Sequence, residues 1–150
     1  MDITGVILAG GKGSRFSGED KGLIQLCNKP LVQHVMDAIS PQVSRVVINA
    51  NRNQDQYREV GVPVFQDEDK DYRGPLTGLG AALKYVDSEL ILFAPCDTPF
   101  LPHDLCTRLY SALLSQQVDI AIPHDGEHLQ PMCVLLRRSL LAEIQSALTN

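Results

Sequence analysis

Apolar runs of strand length alternate along this chain with segments whose apolar residues recur at helical spacing. Residues 3–8 form a short apolar run closed by Ala9-Gly10-Gly11, which predicts a buried strand. Beyond a polar, glycine-rich stretch, Leu31, Val32, Val35, Met36 and Ile39 share one helical face. Pro30 suits the first turn of that helix, and Ser40-Pro41 closes it. Residues 45–49 predict a second strand, 53–58 a short polar helix and 62–65 a third strand. Leu76, Leu79, Leu83 and Val86 mark a helix after Gly74-Pro75, and 90–94 predict a fourth strand ended by Pro95. Leu105, Leu109, Ala112 and Leu113 mark the next helix. A fifth strand at 118–122, a sixth at 132–136 and a closing helix at 139–148 complete the pattern.

This alternation predicts an α/β fold, a mostly parallel sheet with helices on both faces. No repeat, low-complexity stretch or linker interrupts it, so residues 1–150 read as one domain. Such sheets bind ligands beyond the carboxyl ends of their strands, where strand order reverses. That rule directs attention to residues 9–15, 49–51, 66–69 and 95–98.

Charge narrows the partners. A formal net charge of -5 argues against a general nucleic-acid binder. No apolar run reaches membrane-spanning length, and Met1-Asp2-Ile3-Thr4-Gly5 puts no basic segment ahead of an apolar one. The expectation is a cytoplasmic protein with neither nucleic acid nor membrane as partner. Cys27, Cys96, Cys106 and Cys133 form no C-x-x-C pair and no zinc spacing, and read as buried or half-buried thiols. Cys96 lies beside Asp97, but no base is in view that would make it a nucleophile.

Leu8-Ala9-Gly10-Gly11-Lys12-Gly13-Ser14-Arg15 ends the first strand. Its glycines permit close backbone approach, so several N–H groups can point at one anion. Lys12, Arg15 and Lys21 add positive charge, and a polyphosphate is the natural guest. A P-loop is excluded because Lys12 is followed by Gly13, and a dinucleotide fingerprint fails at Phe16. A generic dinucleotide-binding domain is disfavoured for that reason. Lys12 reads as a solvated charge. At the end of the fourth strand Asp97 reads either as a cap of the next segment or as a Mg²⁺ ligand working with substrate phosphates. Asn49 can end its strand, and Asp67 stands beside Glu68, Asp69 and Asp71 in what is mostly a solvated acidic loop. His124, Asp125, Glu127 and His128 suggest a metal, but Pro123 and Gly126 argue for a polar hairpin tip. Gln130-Pro131 beyond it is a weaker candidate border for an acceptor pocket. His34 is expected on a helix surface and His103 near a helix start.

Six motifs in order carry a resemblance: Leu8-Ala9-Gly10-Gly11 with Arg15, Asp20-Lys21-Gly22, Asn28-Lys29-Pro30-Leu31, Asn49-Ala50-Asn51 with Gln66-Asp67, Gly74-Pro75-Leu76-Thr77-Gly78, and Pro95-Cys96-Asp97-Thr98-Pro99. Together they resemble the molybdenum cofactor guanylyltransferases, the MobA family of nucleotidyltransferases. The resemblance implies a Rossmann-like three-layer sandwich that uses Mg²⁺ and GTP to convert molybdopterin, or its molybdenum-loaded form, to molybdopterin guanine dinucleotide and pyrophosphate. It implies nucleotide contacts at Leu8, Ala9, Gly10, Gly11, Lys21, Asn49, Asp67 and Asp97, a Mg²⁺ ligand at Asp97, and Arg15, Lys21 and Asp97 as the residues that carry the transfer. Gly10-Gly11 with the Gly74 motif points to guanine, since the related cytidylyltransferases carry Ala-Gly in the first loop. Molybdoenzymes or their chaperones are further implied partners. Members of the family run tens of residues longer and carry an Asn-Thr-Pro segment that helps complete the metal site. The resemblance therefore implies that 1–150 lacks its C-terminal portion or that its metal site is incomplete. The alternatives are a related cytidylyl- or sugar-phosphate transferase, or a catalytically incomplete GTP-binding module.

Overall fold

The computed structural model describes residues 2–9, 15–16, 19–67 and 75–149. Among them, one sheet is built from β1 (Ile3–Leu8), β2 (Arg45–Asn49), β3 (Val64–Phe65), β4 (Leu90–Pro95), β5 (Ile120–Ala121) and β6 (Val134–Arg137). Its spatial order is β3-β2-β1-β4-β6-β5. β1 pairs in parallel with β2 and β4, and β2 with β3. β6 runs antiparallel to both β4 and β5. The sheet is thus mostly parallel, as the alternation of elements predicts.

The helices are α1 (Leu31–Ile39), α2 (Gln54–Arg58), α3 (Pro75–Tyr85), α4 (Leu105–Ser115) and α5 (Leu141–Thr149). Side chains of one strand point alternately to its two faces, and here both faces are covered. Leu90, Leu92 and Ala94 of β4 pack with Val32, Val35 and Ile39 of α1, Tyr57 of α2 and Leu105 and Leu109 of α4. Ile91 and Phe93 of the same strand pack with Leu83 of α3, and Ile144 of α5 lies against that second core. This is a three-layer α/β sandwich. A continuous apolar run such as β4 has no polar face because neither face meets water. Among the described residues no helix is long and apolar enough to cross a membrane.

Several boundaries differ from the periodicity, those of three strands for a hydrogen-bonding reason. Pro30 is the N-cap of α1, with ψ 149°, one residue before the first turn. β3 starts only at Val64, because Pro63 lacks an N–H, although its carbonyl accepts from Ile48 N at 2.9 Å. β5 omits Val118, whose N–H closes the end of α4 on Leu113 O at 3.1 Å. β6 omits residues 132 and 133, because Cys133 N still donates to Gln130 O in the turn at 3.0 Å. The residues expected to open α5 at 139 lie partly in a 3-10 turn, Arg138–Leu140, and α5 follows it.

Cys27 corrects the expectation of buried thiols. It is exposed, whereas Cys96, Cys106 and Cys133 are buried. Cys27 and Asn28, with φ 54° and 63°, form the two-residue turn between paired Gln25–Leu26 and Lys29–Pro30. Two successive positive φ values suit a tight hairpin, and the tip of such a turn faces solvent. His34 is half-buried and donates or accepts through Nε2 at 2.8 Å from Leu26 O, so it ties α1 to this ribbon instead of standing free on the surface.

Candidate functional site

Strand order reverses between β1 and β4. Backbone bonds carry that register past the strand ends. Ala9 N donates to Asn49 O at 2.8 Å, Ala50 N to Phe65 O at 2.9 Å, and Cys96 N to Leu8 O at 3.1 Å. Residues 8–9, 49–51, 65–67 and 96–97 therefore emerge side by side on one edge.

Lys21 and Asp97 meet there. Lys21 opens a 3-10 turn, Lys21–Leu23, capped by Asp20, whose Oδ1 accepts from Gly22 N at 3.3 Å. Asp97 is two residues past β4. The Lys21 Nζ to Asp97 Oδ2 distance is 3.9 Å, with the side chains 42% and 35% exposed. So open a pair contributes about 0–1 kcal/mol to stability. Its interest is chemical. A cation and a carboxylate stand side by side, both partly exposed and with no tight bond between them, so each can turn to a ligand.

Beneath this pair lies a buried polar cluster. Asp20 Oδ1 accepts from Tyr57 Oη at 2.5 Å, and Oδ2 from Asn53 Nδ2 at 3.2 Å. Arg52 Nε stands 3.8 Å from Oδ2. The Asp20 side chain is 3% exposed and Tyr57 is fully buried. Burial, aided by the neighbouring Cys96 and Asp20, pushes the Tyr57 phenol well above its usual range, so it stays a donor at any working pH. Burial likewise pushes the Cys96 thiol up to about 12, helped by the Asp97 charge. A thiol held neutral is inert as a nucleophile.

On the β2 side Asn49 is 1% exposed and donates from Nδ2 to Asp67 Oδ1 at 2.9 Å. Asn51 Nδ2 donates to Asp67 Oδ2 at 3.0 Å, and Asp67 N returns a bond to Asn51 Oδ1 at 2.8 Å. Asp67 is thereby fixed at the strand edge. α3 reaches the same place through Gly78. A Cβ there would stand 3.3 Å from both Asn49 Oδ1 and Leu8 Cδ2, tighter than ordinary contact.

Of the residues singled out from sequence, Leu8, Ala9, Lys21, Asn49, Asp67 and Asp97 come together on this edge. Gly10, Gly11, Lys12 and Glu68 to Asp71 lie outside the described residues. The backbone of Arg15 pairs with that of Asp20, in a short ribbon leading into the Lys21 turn. Sequence pattern alone did not group Asp20, Arg52, Asn53 and Tyr57 as a cluster. The available signal was Tyr57, a single aromatic in an otherwise polar helix.

The second polar segment, 123–130, is the hairpin tip expected from Pro123 and Gly126. His124 bridges to Leu129, and Asp125 N donates to His128 O at 3.1 Å. Asp125 accepts from the N–H groups of Glu127 and His128, each at 2.8 Å, which hold its carboxyl below the usual range. Among the described residues, the bonds to that carboxylate come from within the turn or from Gln130 just beyond it. His103 is exposed, just before α4.

A family model described as the MobA-like NTP transferase domain matches residues 5–150. A molybdenum cofactor guanylyltransferase of Photobacterium profundum is 50% identical over 145 residues, which are 97% of this chain and 74% of that protein. The molybdenum cofactor guanylyltransferase of Vibrio cholerae is 46% identical over 149 residues, 99% of this chain and 72% of that one. Among solved structures, the molybdopterin-guanine dinucleotide biosynthesis protein A of Archaeoglobus fulgidus superposes with a TM-score of 0.74 at 25% identity, over 96% of this chain and 72% of that chain.

Proposed function

The chain belongs to the MobA-like NTP transferase family and is a nucleotidyltransferase of molybdenum cofactor biosynthesis, and from that premise we propose that it transfers GMP from GTP to molybdopterin. The products are molybdopterin guanine dinucleotide and pyrophosphate. The observation that carries this reading is the Lys21–Asp97 pair, 3.9 Å apart at the point where strand order reverses.

The chemistry is attack by an acceptor phosphate oxygen on the α-phosphorus of the triphosphate. The new bond joins that oxygen to phosphorus, and the bond to the β-phosphate oxygen breaks, releasing pyrophosphate. The attacking oxygen is already ionised near neutral pH, so no base is needed. The obstacle is charge repulsion and positioning. Lys21 neutralises charge on the triphosphate, and Arg15 assists on the departing pyrophosphate. Leu8, Ala9, Gly10 and Gly11 line the nucleotide. Asn49 and Asp67, locked to each other, present a rigid polar edge to the nucleoside, and Gly78 leaves room beside it.

A divalent cation, taken as Mg²⁺, fits the donors at Asp97. One partly exposed carboxylate is a hard oxygen ligand, and Mg²⁺ is usually held by one or two carboxylates together with substrate phosphates. Among the described residues no group of three or more acidic, His or Cys side chains forms a cage of its own, which suits a metal that arrives with its nucleotide. When bound, the ion supplies charge neutralisation of the triphosphate.

Thermal shift with Mg²⁺ and each nucleotide tests the substrate. GTP raises the melting temperature, while CTP, ATP and UTP leave it nearly unchanged. Pyrophosphate release then requires molybdopterin. Stabilisation by CTP instead would move the assignment to cytidylyl transfer. GTP binding without pyrophosphate release would reduce it to nucleotide binding.

A further inference from the structure

We propose that Tyr57 of α2, through Asp20, positions Lys21 against Asp97, so that a residue outside all the strand-end motifs sets the geometry of the triphosphate site. The inference rests on the reading of Lys21 as a triphosphate contact.

Lys21 is held through both of its peptide neighbours. On one side, the buried Asp20 carboxylate accepts from Tyr57 Oη at 2.5 Å and from Asn53 Nδ2 at 3.2 Å. On the other, Gly22 lies against the same phenol oxygen. A Cβ on Gly22 would stand 2.5 Å from Tyr57 Oη and 3.0 Å from both Cβ and Sγ of Cys96. No side chain fits in that space, so the glycine is required for the approach. Cys96 is bonded directly to Asp97. One hydroxyl therefore touches the residue before Lys21 and the residue after it, and the latter rests on the neighbour of Asp97. The ring of Tyr57 is anchored in the core, fully buried among α1, β1 and β4 residues. Rigid core packing is thus transmitted to a side chain that is itself 42% exposed. The anchor fixes the backbone from which the Lys21 side chain starts; a mobile turn would add the entropic cost of ordering its own backbone to that of ordering the side chain.

Tyr57 is a positioning residue and touches no substrate. A merely structural role, satisfying the Asp20 carboxylate, predicts lower stability and nothing more specific. A double-mutant cycle separates the two. GTP affinity with Mg²⁺ is measured by calorimetry for the unmodified protein, Tyr57→Phe, Lys21→Ala and the double variant. Tyr57→Phe weakens GTP binding about tenfold when Lys21 is present and less than about twofold when it is absent, the non-additivity of residues in one network. Equal losses in both backgrounds, or no loss, would overturn the proposal. Asn53→Gly, which suits the positive φ of 52° at that position while deleting its bond to Asp20, supplies the same cycle should Tyr57→Phe fail to fold. A second arm needs no nucleotide. Trypsin cleavage after Lys21, relative to cleavage after Arg108 on α4, rises about fivefold in either variant as the local tether is lost. Unchanged relative cleavage overturns the proposal. Should the unmodified protein bind none of the four nucleoside triphosphates, the functional reading fails, and trypsin still decides whether Tyr57 holds Lys21.

Discussion

Asp20 and Asp125 each collect hydrogen bonds in a polar turn, yet they belong to opposite kinds of structure. Asp20 accepts from Gly22 N nearby but also from Tyr57 and Asn53, more than thirty residues away, and is 3% exposed. Asp125 takes its donors from Glu127, His128 and Gln130, all within five residues, in an exposed turn. The first ties a loop to the core and through it to Lys21. The second finishes a hairpin and goes no further. Hydrogen-bond number does not separate a site from a turn here. What separates them is whether the bonds reach across the fold.

The largest expected effect lies just above Asp20. Asp97→Ala and Lys21→Ala each lower turnover about 100- to 1000-fold, the usual loss when a group that stabilises developing charge is removed. Both side chains are open to solvent and add little to stability, so urea melts stay close to the unmodified protein. Near-normal pyrophosphate release from a folded Asp97→Ala protein would remove the metal-ligand role. One layer down the loss turns into one of stability. Asp20→Ala leaves Tyr57 and Asn53 without their shared acceptor, removes the carboxylate beside Arg52, and costs about 3–5 kcal/mol, as for breaking a buried charged pair. Equilibrium urea unfolding measures it, and a change below about 1 kcal/mol would mean the cluster is not a structural anchor.

The same contrast explains what was legible in the sequence. Periodicity is local, and it placed β1, β2, β4 and the helices within a few residues of their observed ends. The rule for ligand sites in parallel sheets then led to Ala9, Asn49, Asp67 and Asp97 without any knowledge of strand order, while Leu8 came from the resemblance alone. The hairpin at 123–130 was readable because Pro123 and Gly126 act within the turn itself. The bond from Tyr57 to Asp20 was not readable. It depends on α2 packing beneath the Lys21 turn, which no spacing along the chain encodes. Tyr57 was visible only as an aromatic in a polar helix, and Asp20 only as the neighbour of a lysine that carried the attention. Cys27 was misplaced for a related reason. Composition says that thiols are buried, while the turn that exposes this one is made by a pair of backbone angles.

Thiol labelling extends the comparison to residues the chemistry does not use. Under native conditions a maleimide modifies Cys27 roughly tenfold or more faster than the other three thiols, since reactivity follows exposure and ionisation. Cys96 resists for two reasons, its burial and a pKa raised to about 12. The quantity of interest is the change at Cys96 in Tyr57→Phe. Labelling there accelerates if the hydroxyl cluster seals the pocket, and stays slow if the surrounding core alone protects it. Mass mapping of the labelled peptides distinguishes the two outcomes.

The smallest effect belongs to Asp125, and its direction comes from linkage. The folded turn holds this carboxyl below the ordinary value of 3.8, chiefly through the N–H groups of His128 and Glu127. A depressed folded pKa means that the turn gains from ionisation above 3.8 and loses that gain as pH falls through the lowered value. Acid titration followed by NMR therefore shifts the Glu127 and His128 amides together, below pH 3.8, before the sheet unfolds. Asp125→Ala leaves pyrophosphate release unchanged, because among the described residues the bonds of this carboxylate stay within the hairpin. A large loss of transfer in that variant would join the hairpin to the site after all, through Gln130, whose side chain donates to Asp125 Oδ2 at 2.6 Å. The Gln130→Ala protein would then have to show the same loss, and the separation between the two aspartates would become one of distance from the core alone.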